Sequence, residues 1–268
     1  MKYNNILKGV FLDRPNRFIA HVKIEPADAL ALENQLKASG ILCSVPCGVI
    51  SVHVKNTGRC KELLVPGAPV ILQFFPASLE AQKIDSAEAK SNTRKMAYDL
   101  ISVYKECSDS QIRLINMDSQ APNKAVYEWL QKGADNVFGK IKTIRPETTY
   151  GSSRFDFYLE TSRKKIFLEV KGVTLEQDGI VSFPDAPTER GTKHLQELSK
   201  ALQDGYQTAV LFVIQMSKIR YFTPATVQDP IFAETLSDAK KSGVKVLAYD
   251  CLVTEDEMIL HAPIRTKI

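Results

Sequence analysis

Nowhere does this 268-residue chain run through about eighteen consecutive apolar residues, the length a helix needs to cross a bilayer, and Met1 to Val10 lack a cationic start followed by an apolar block. Neither a membrane span nor a secretory leader is expected, which makes the cytoplasm the expected compartment. Cysteine is sparse. Cys43, Cys47, Cys60, Cys107 and Cys251 are scattered and odd in number, so free thiols are expected rather than a disulfide framework. No paired CxxC or histidine at zinc spacing accompanies Cys43 and Cys47, which argues against a structural zinc site. No GxxxxGK[ST] loop marks a nucleotide-hydrolysing machine, and no GxSxG elbow marks a serine hydrolase.

A large excess of one charge is missing too: 35 lysines and arginines stand against 31 aspartates and glutamates, a formal net charge of +4. Residues 1–117 carry fifteen basic and eleven acidic side chains, whereas residues 118–268 carry twenty of each. The first part is therefore expected to hold the phosphate-attracting surface. With 44% of residues hydrophobic, the chain can bury one large core or two modest ones.

Ile6 to Leu12 and Phe18 to Ile24 read as two strands around a turn at Asp13-Arg-Pro-Asn-Arg. Arg14, Arg17 and Phe18 there combine cations and a ring, as surfaces do that track a sugar-phosphate backbone and stack on bases; a solvated turn is the plain alternative. From Pro26 to Gly40, Ala29, Leu30, Leu32 and Leu36 recur at helical spacing. Val49 to Val54 alternates as a strand into Lys55-Asn-Thr-Gly-Arg, where Asn56 and Gly58 suit a left-handed turn. Lys55, Asn56, Arg59 and Lys61 would present amides and cations to a phosphate oxygen; a hairpin turn that needs glycine only for its φ angle is the alternative. Val70 to Phe75, Tyr98 to Tyr104 and Ile112 to Met117 complete about five short strands, the count of a small Greek-key barrel, with residues 77–93 a polar loop between them.

Asp118 to Asn123 reads as a linker ending in a helix-capping Asn123, and Lys124 to Leu130 as the helix it caps. Further on, Phe155, Phe157 and Leu159 alternate with Arg154, Asp156 and Tyr158, so one strand is expected to turn Asp156 away from its apolar neighbours. After the cationic connection Thr161 to Lys165, a second strand places Glu169 and Lys171 on one face. Adjacent strands lie about 4.8 Å apart, so this hairpin can gather Asp156, Glu169 and Lys171. Two crowded carboxylates are costly unless a cation bridges them, and Mg²⁺ (or Mn²⁺) prefers one or two carboxylates completed by water and phosphate. Asp156 and Glu169 are thus candidate metal ligands. Lys171 would position or deprotonate a water in phosphodiester hydrolysis. Arg154 could contact the phosphate or merely neutralise the acids.

Leu195, Leu198 and Leu202 mark the buried stripe of another helix, with His194 and Glu197 beside it and Arg190 and Lys193 near its start, where phosphate binds well. Thr208 to Met216 is apolar enough for a strand covered on both faces. Asp229-Pro starts a helix that Gly243 ends, and Val244 to Tyr249 is expected to close a sheet with a parallel central pair.

Asp156 followed by Glu169-Val-Lys171 resembles the PD-(D/E)xK nuclease superfamily. The blocks His53 to Ala68, Tyr150-Gly-Ser-Ser-Arg-Phe-Asp-Phe, Glu169-Val-Lys-Gly-Val-Thr-Leu-Glu and Phe183 to Leu198 resemble the sugar fermentation stimulation protein A family over nearly the whole length. The resemblance implies an α/β protein overall: an OB-fold-like barrel (residues 1–117) followed by a nuclease-like domain with a mixed sheet (residues 118–268). It implies DNA as partner, makes residues 26–45 an insertion, and adds Glu128, Glu147 and His194 as candidate site residues. A non-catalytic DNA-binding regulator and an RNA-binding protein are the competing expectations.

Overall fold

A computed structural model of the chain describes residues 1–56, 58–76, 96–107 and 111–268, so the loop expected over 77–93 falls outside the described residues. The first body contains β1 (Ile6–Asn16), β2 (Ile19–Ile24), β3 (Gly48–Val54), β4 (Pro69–Phe74), β5 (Tyr98–Glu106) and β6 (Ile112–Asn116). Five of these strands close into a barrel. β2 joins β1 and β3, β4 joins β1 and β5, all antiparallel, and a short parallel pairing of His53 with Asp99 and Val54 with Leu100 shuts the ring. β6 extends it from β5. Alternate residues such as Ala20, Val22 and Ile24 on β2 and Val70, Leu72 and Phe74 on β4 fill the interior, as the two-residue period requires. Helix α1 (Pro26–Ala38) adds Ala29, Leu32 and Leu36 to that core, but Leu30, expected on the same stripe, is 56% exposed.

The second body is built on a mixed sheet of β7 (Ile141–Tyr150), β8 (Ser153–Thr161), β9 (Lys165–Val173), β12 (Gln207–Ile214), β14 (Lys245–Val253) and β15 (Met258–Pro263), in the order β15-β14-β12-β9-β8-β7. β12 runs parallel to both β9 and β14, and the outer pairings are antiparallel. The strand expected to close the sheet at Val244 to Tyr249 thus lies one place in, because β15 pairs outside it. A small sheet of β10 (Leu175–Gln177), β11 (Ile180–Phe183) and β13 (Tyr221–Pro224) flanks this frame. β12 is buried on both sides: Ala209, Leu211 and Val213 pack with helix α2 (Ala121–Gly133), whereas Val210, Phe212 and Ile214 pack with α3 (Glu189–Gln203) and α4 (Pro230–Ser242). At the start of α4 the Asp229 carboxylate accepts the Phe232 amide at 2.9 Å, and Gly243, at φ +108°, ends it as expected.

Two further expectations need correction. α2 begins at Ala121 with Gln120 at its N-cap and Pro122 in its first turn, so Asn123 is helical and is not the cap. Asp118, read as the first residue of a linker, is packed into a junction. It is fully buried, accepting from Lys55 Nζ at 2.6 Å. The two bodies meet there: Gln215 Nε2 donates to the Asn116 carbonyl at 3.0 Å and the Asp118 carbonyl at 3.2 Å, and Lys105 of β5 reaches Glu176 of β10 at 2.7 Å. All five cysteines are free, and among the described residues no helix is long and apolar enough to cross a membrane.

Candidate functional site

β8 and β9 form the expected hairpin, paired from Phe157 with Leu168 to Glu160 with Lys165. Beyond Phe157 the ladder ends, and the Asp156 carboxylate satisfies the backbone instead: Oδ2 accepts the Val170 amide at 2.7 Å, while Oδ1 accepts Nδ2 of Asn123 on α2 at 2.7 Å. The regular alternation breaks at this point. Phe157 stacks on Tyr127 of α2 with ring centroids 6.2 Å apart, whereas Phe155 packs at 5.2 Å from Phe167 and 6.2 Å from His194 of α3. Phe155 and Phe157 therefore serve opposite layers, contrary to the expected shared face. On the facing strand, Glu147 adopts φ 50° between the pairs Pro146–Phe157 and Thr148–Phe155, a conformation uncommon for glutamate.

β9 keeps its alternation. Ile166, Leu168 and Val170 enter the layer beneath α2, so Glu169 and Lys171 share the other side, which α3 covers. Glu169 is 2% exposed; its Oε1 accepts Lys171 Nζ at 2.6 Å and pairs with Nδ1 of His194. Its Oε2 is buried and has no hydrogen-bond partner among the described residues. Burial, then the nearby Glu169 charge, pushes Asp156 above the usual carboxylate range, against the opposing pull of the Val170 amide, Asn123 and Lys171. Burial pushes Glu169 the same way, but His194 and Lys171 together outweigh it and hold that carboxyl below its ordinary value.

This donor set suits a divalent cation. The bare Glu169 Oε2 is a buried acceptor without a positive partner, and an ion shared with Asp156 would remove the repulsion that raises the aspartate. Among the described residues no group of three or more His, Cys, Asp or Glu side chains forms a ready cage. Two carboxylates completed by water and phosphate is the arrangement Mg²⁺ prefers.

The other candidates divide. His194 is not beside the buried stripe of α3 but on it, 6% exposed, because it is turned in to meet Glu169. Glu128 lines one groove with Asp156, and its Oε2 accepts the Met1 ammonium at 2.8 Å. Arg154 is 61% exposed with Nη1 at 3.5 Å from Glu147. Arg190 and Lys193 are exposed on the first turns of α3, where Thr188 caps the helix by accepting the Gly191 amide. On the barrel, Arg14 is not available for phosphate: its guanidinium donates to the carbonyls of Arg17, Asn56, Gly58 and Arg59 at 2.6–2.9 Å and ties two turns together. Lys55 is likewise committed to Asp118, and Asn56 bonds the Gly58 amide and the Met117 carbonyl. Gly58 has no positive φ; it is needed for space, since a Cβ would stand 2.7 Å from the Asp185 carboxylate. Arg17, lying 4.8 Å over the Phe18 ring, and Arg59 and Lys61 remain at the surface.

Sequence reasoning missed Asn123 and Tyr127, both on α2 and four residues apart, hence on one helix face. That face borders a groove of about 480 Å³ beside Asp156, also lined by Lys124, Pro146 and Phe157. The signal was the asparagine itself: a short amide two residues inside the helix start reads as a cap unless that start is known.

Fold and site together define a class: an OB barrel followed by a mixed α/β domain with a buried carboxylate pair and a lysine on its central hairpin. Residues 12–115 match the family model described as SfsA N-terminal OB domain, and residues 120–257 match the one described as Sugar fermentation stimulation protein RE domain. A sugar fermentation stimulation protein homolog of Desulfitobacterium hafniense is 49% identical over 258 residues, covering 96% of this chain and 94% of that protein. One from Ruminiclostridium cellulolyticum is 44% identical over 268 residues, covering 100% of both. Among solved structures, that of Pyrococcus furiosus SfsA in complex with Ca²⁺ superposes with a TM-score of 0.77 at 23% identity, covering 100% of this chain and 98% of that one. The chain belongs to the sugar fermentation stimulation protein (SfsA) family.

Proposed function

We propose that this protein binds DNA and hydrolyses its phosphodiester bonds with a divalent cation, Mg²⁺ or Mn²⁺, held by Asp156 and Glu169. The observation that carries the proposal is the buried, unpartnered Oε2 of Glu169 beside an aspartate that the glutamate's charge disfavours as an anion. When bound, the cation supplies Lewis acidity and a water of lowered pKa. The chain's own groups do the rest. Asn123 and the Val170 amide fix the Asp156 carboxylate, and His194 fixes that of Glu169. Lys171, on the same strand face, orients the attacking water and offsets negative charge on the phosphate. Arg154 at the surface receives a phosphate oxygen, and Arg17, Phe18, Arg59 and Lys61 give the barrel its hold on the strand.

The test is incubation of the purified chain with plasmid, linear duplex and single-stranded DNA, and with RNA, with and without Mg²⁺ or Mn²⁺, beside Asp156→Asn and Lys171→Ala. Metal-dependent cleavage that both variants lose while still binding supports the proposal. Cleavage unchanged in both overturns it. One observation favours a second reading, a DNA-binding protein without chemistry: both oxygens of Asp156 already accept hydrogen bonds within the protein. Under that reading no metal restores cleavage to the unaltered chain.

A further inference from the structure

The groove beside Asp156 has a floor and walls that the hydrolytic chemistry does not use. Tyr127 is 36% exposed, and its ring lies nearly parallel to Phe157 behind it, 12° between planes. Pro146 and Phe157 supply more apolar wall, and exposed Lys124, on the same helix as Tyr127, borders the opening. Asn123 and Asp156 line the same space, so whatever sits against Tyr127 lies next to the Asp156 carboxylate.

From this placement we infer that the groove between α2 and β7–β8 is a base subsite: the base flanking the cleaved phosphate stacks on Tyr127. A flat, π-faced ligand suits a partly exposed ring that lies near-parallel to a second one, and stacking on an aromatic serves every base alike. The volume of about 480 Å³ falls in the range of small-ligand sites and accepts one nucleotide unit. Lys124 offers a cation to the neighbouring phosphate, and the carboxylates of Glu128 and Glu147 are each met by a positive group, the Met1 ammonium and Arg154. The subsite explains why an exposed tyrosine is braced by a buried phenylalanine at the one place where β8 breaks its alternation. It rests on the proposal that Asp156, which lines the groove, acts with Glu169 on a polynucleotide.

The experiment measures binding apart from cleavage. Anisotropy of a labelled oligothymidylate of about twelve nucleotides is followed in EDTA for the full chain, Tyr127→Ala, Tyr127→Phe and Lys124→Ala, and for the same strand with a single abasic site moved along it. Tyr127→Ala is expected to weaken binding about tenfold, Tyr127→Phe to bind like the unaltered chain, and Lys124→Ala to weaken it less. One abasic position should cost the unaltered chain as much as Tyr127→Ala costs the intact strand, with no further loss when the two are combined. Equal binding by Tyr127→Ala and the unaltered chain, or an equal loss in Tyr127→Phe, overturns the subsite. A parallel cleavage assay in Mg²⁺ separates the two claims: Tyr127-dependent binding without cleavage removes the hydrolytic proposal and leaves the subsite, and cleavage with KM indifferent to Tyr127 does the reverse.

Discussion

At the scale of single residues, the site is a set of side chains whose positions are held by other side chains. Asn123, outside the hairpin that carries the acids, fixes one oxygen of Asp156 at 2.7 Å. Asn123→Ala is expected to lower kcat about tenfold or more with KM little changed, because a freed carboxylate is misplaced rather than lost, and steady-state kinetics with Mg²⁺ reads the split. Arg14 makes the converse point. Four backbone carbonyls converge on its guanidinium, so Arg14→Gln should destabilise the barrel turns by about 1–3 kcal/mol in urea titration and change the salt slope of DNA binding little. The convergence of Asp156, Glu169 and Lys171 was legible because a hairpin and its two-residue period are local signals. The roles of Arg14, Lys55 and Asn123 were not, since a cation or amide in a turn looks the same in sequence whether it faces a ligand or a carbonyl many residues away.

At the scale of elements, patterning was read well where one period held throughout. The apolar run of β12 from Ala209 to Ile214, the Leu195–Leu198 stripe and the Asp229-to-Gly243 helix fall where hydrophobic spacing and capping put them, since each signal is local. The α2 start and the switch at Asp156 were not visible, because both depend on contacts between elements: Pro122 against β9, and Asn123 bridging to β8. Gly172 shows how close that approach is. A Cβ there would stand 2.5 Å from Gln215 Oε1 and 2.9 Å from Pro122 Cγ. Gly172→Ala should therefore push α2 away from the end of β9, costing about 1–3 kcal/mol in chemical denaturation and slowing cleavage by displacing Lys171.

The whole molecule is held together at a polar junction. Lys105 of the barrel reaches Glu176 of the second body, a residue 2% exposed that also accepts the Gly179 amide. Burial alone would raise the Glu176 carboxyl, but Lys105 and that amide outweigh it and hold it below its ordinary 4.5. A carboxyl lowered on folding stabilises the folded state above its unfolded value and loses that contribution as the pH falls through the folded one. Urea midpoints should therefore drop below about pH 4.5 more steeply for the unaltered chain than for Glu176→Gln, and parallel curves would contradict this. DNA affinity should fall with rising salt if the exposed Arg17, Arg59 and Lys61 meet phosphate as proposed, and an isotherm indifferent to ionic strength would exclude the barrel as the DNA-binding surface.

The proposed chemistry stands on one divalent cation shared by Asp156 and Glu169. Calorimetric titration of Mn²⁺ into the metal-free chain, Asp156→Asn and Glu169→Gln tests it most directly. A single site in the unaltered chain that each substitution abolishes or weakens severely is expected; no binding to the unaltered chain, or binding that survives both substitutions unchanged, would rule the shared cation out.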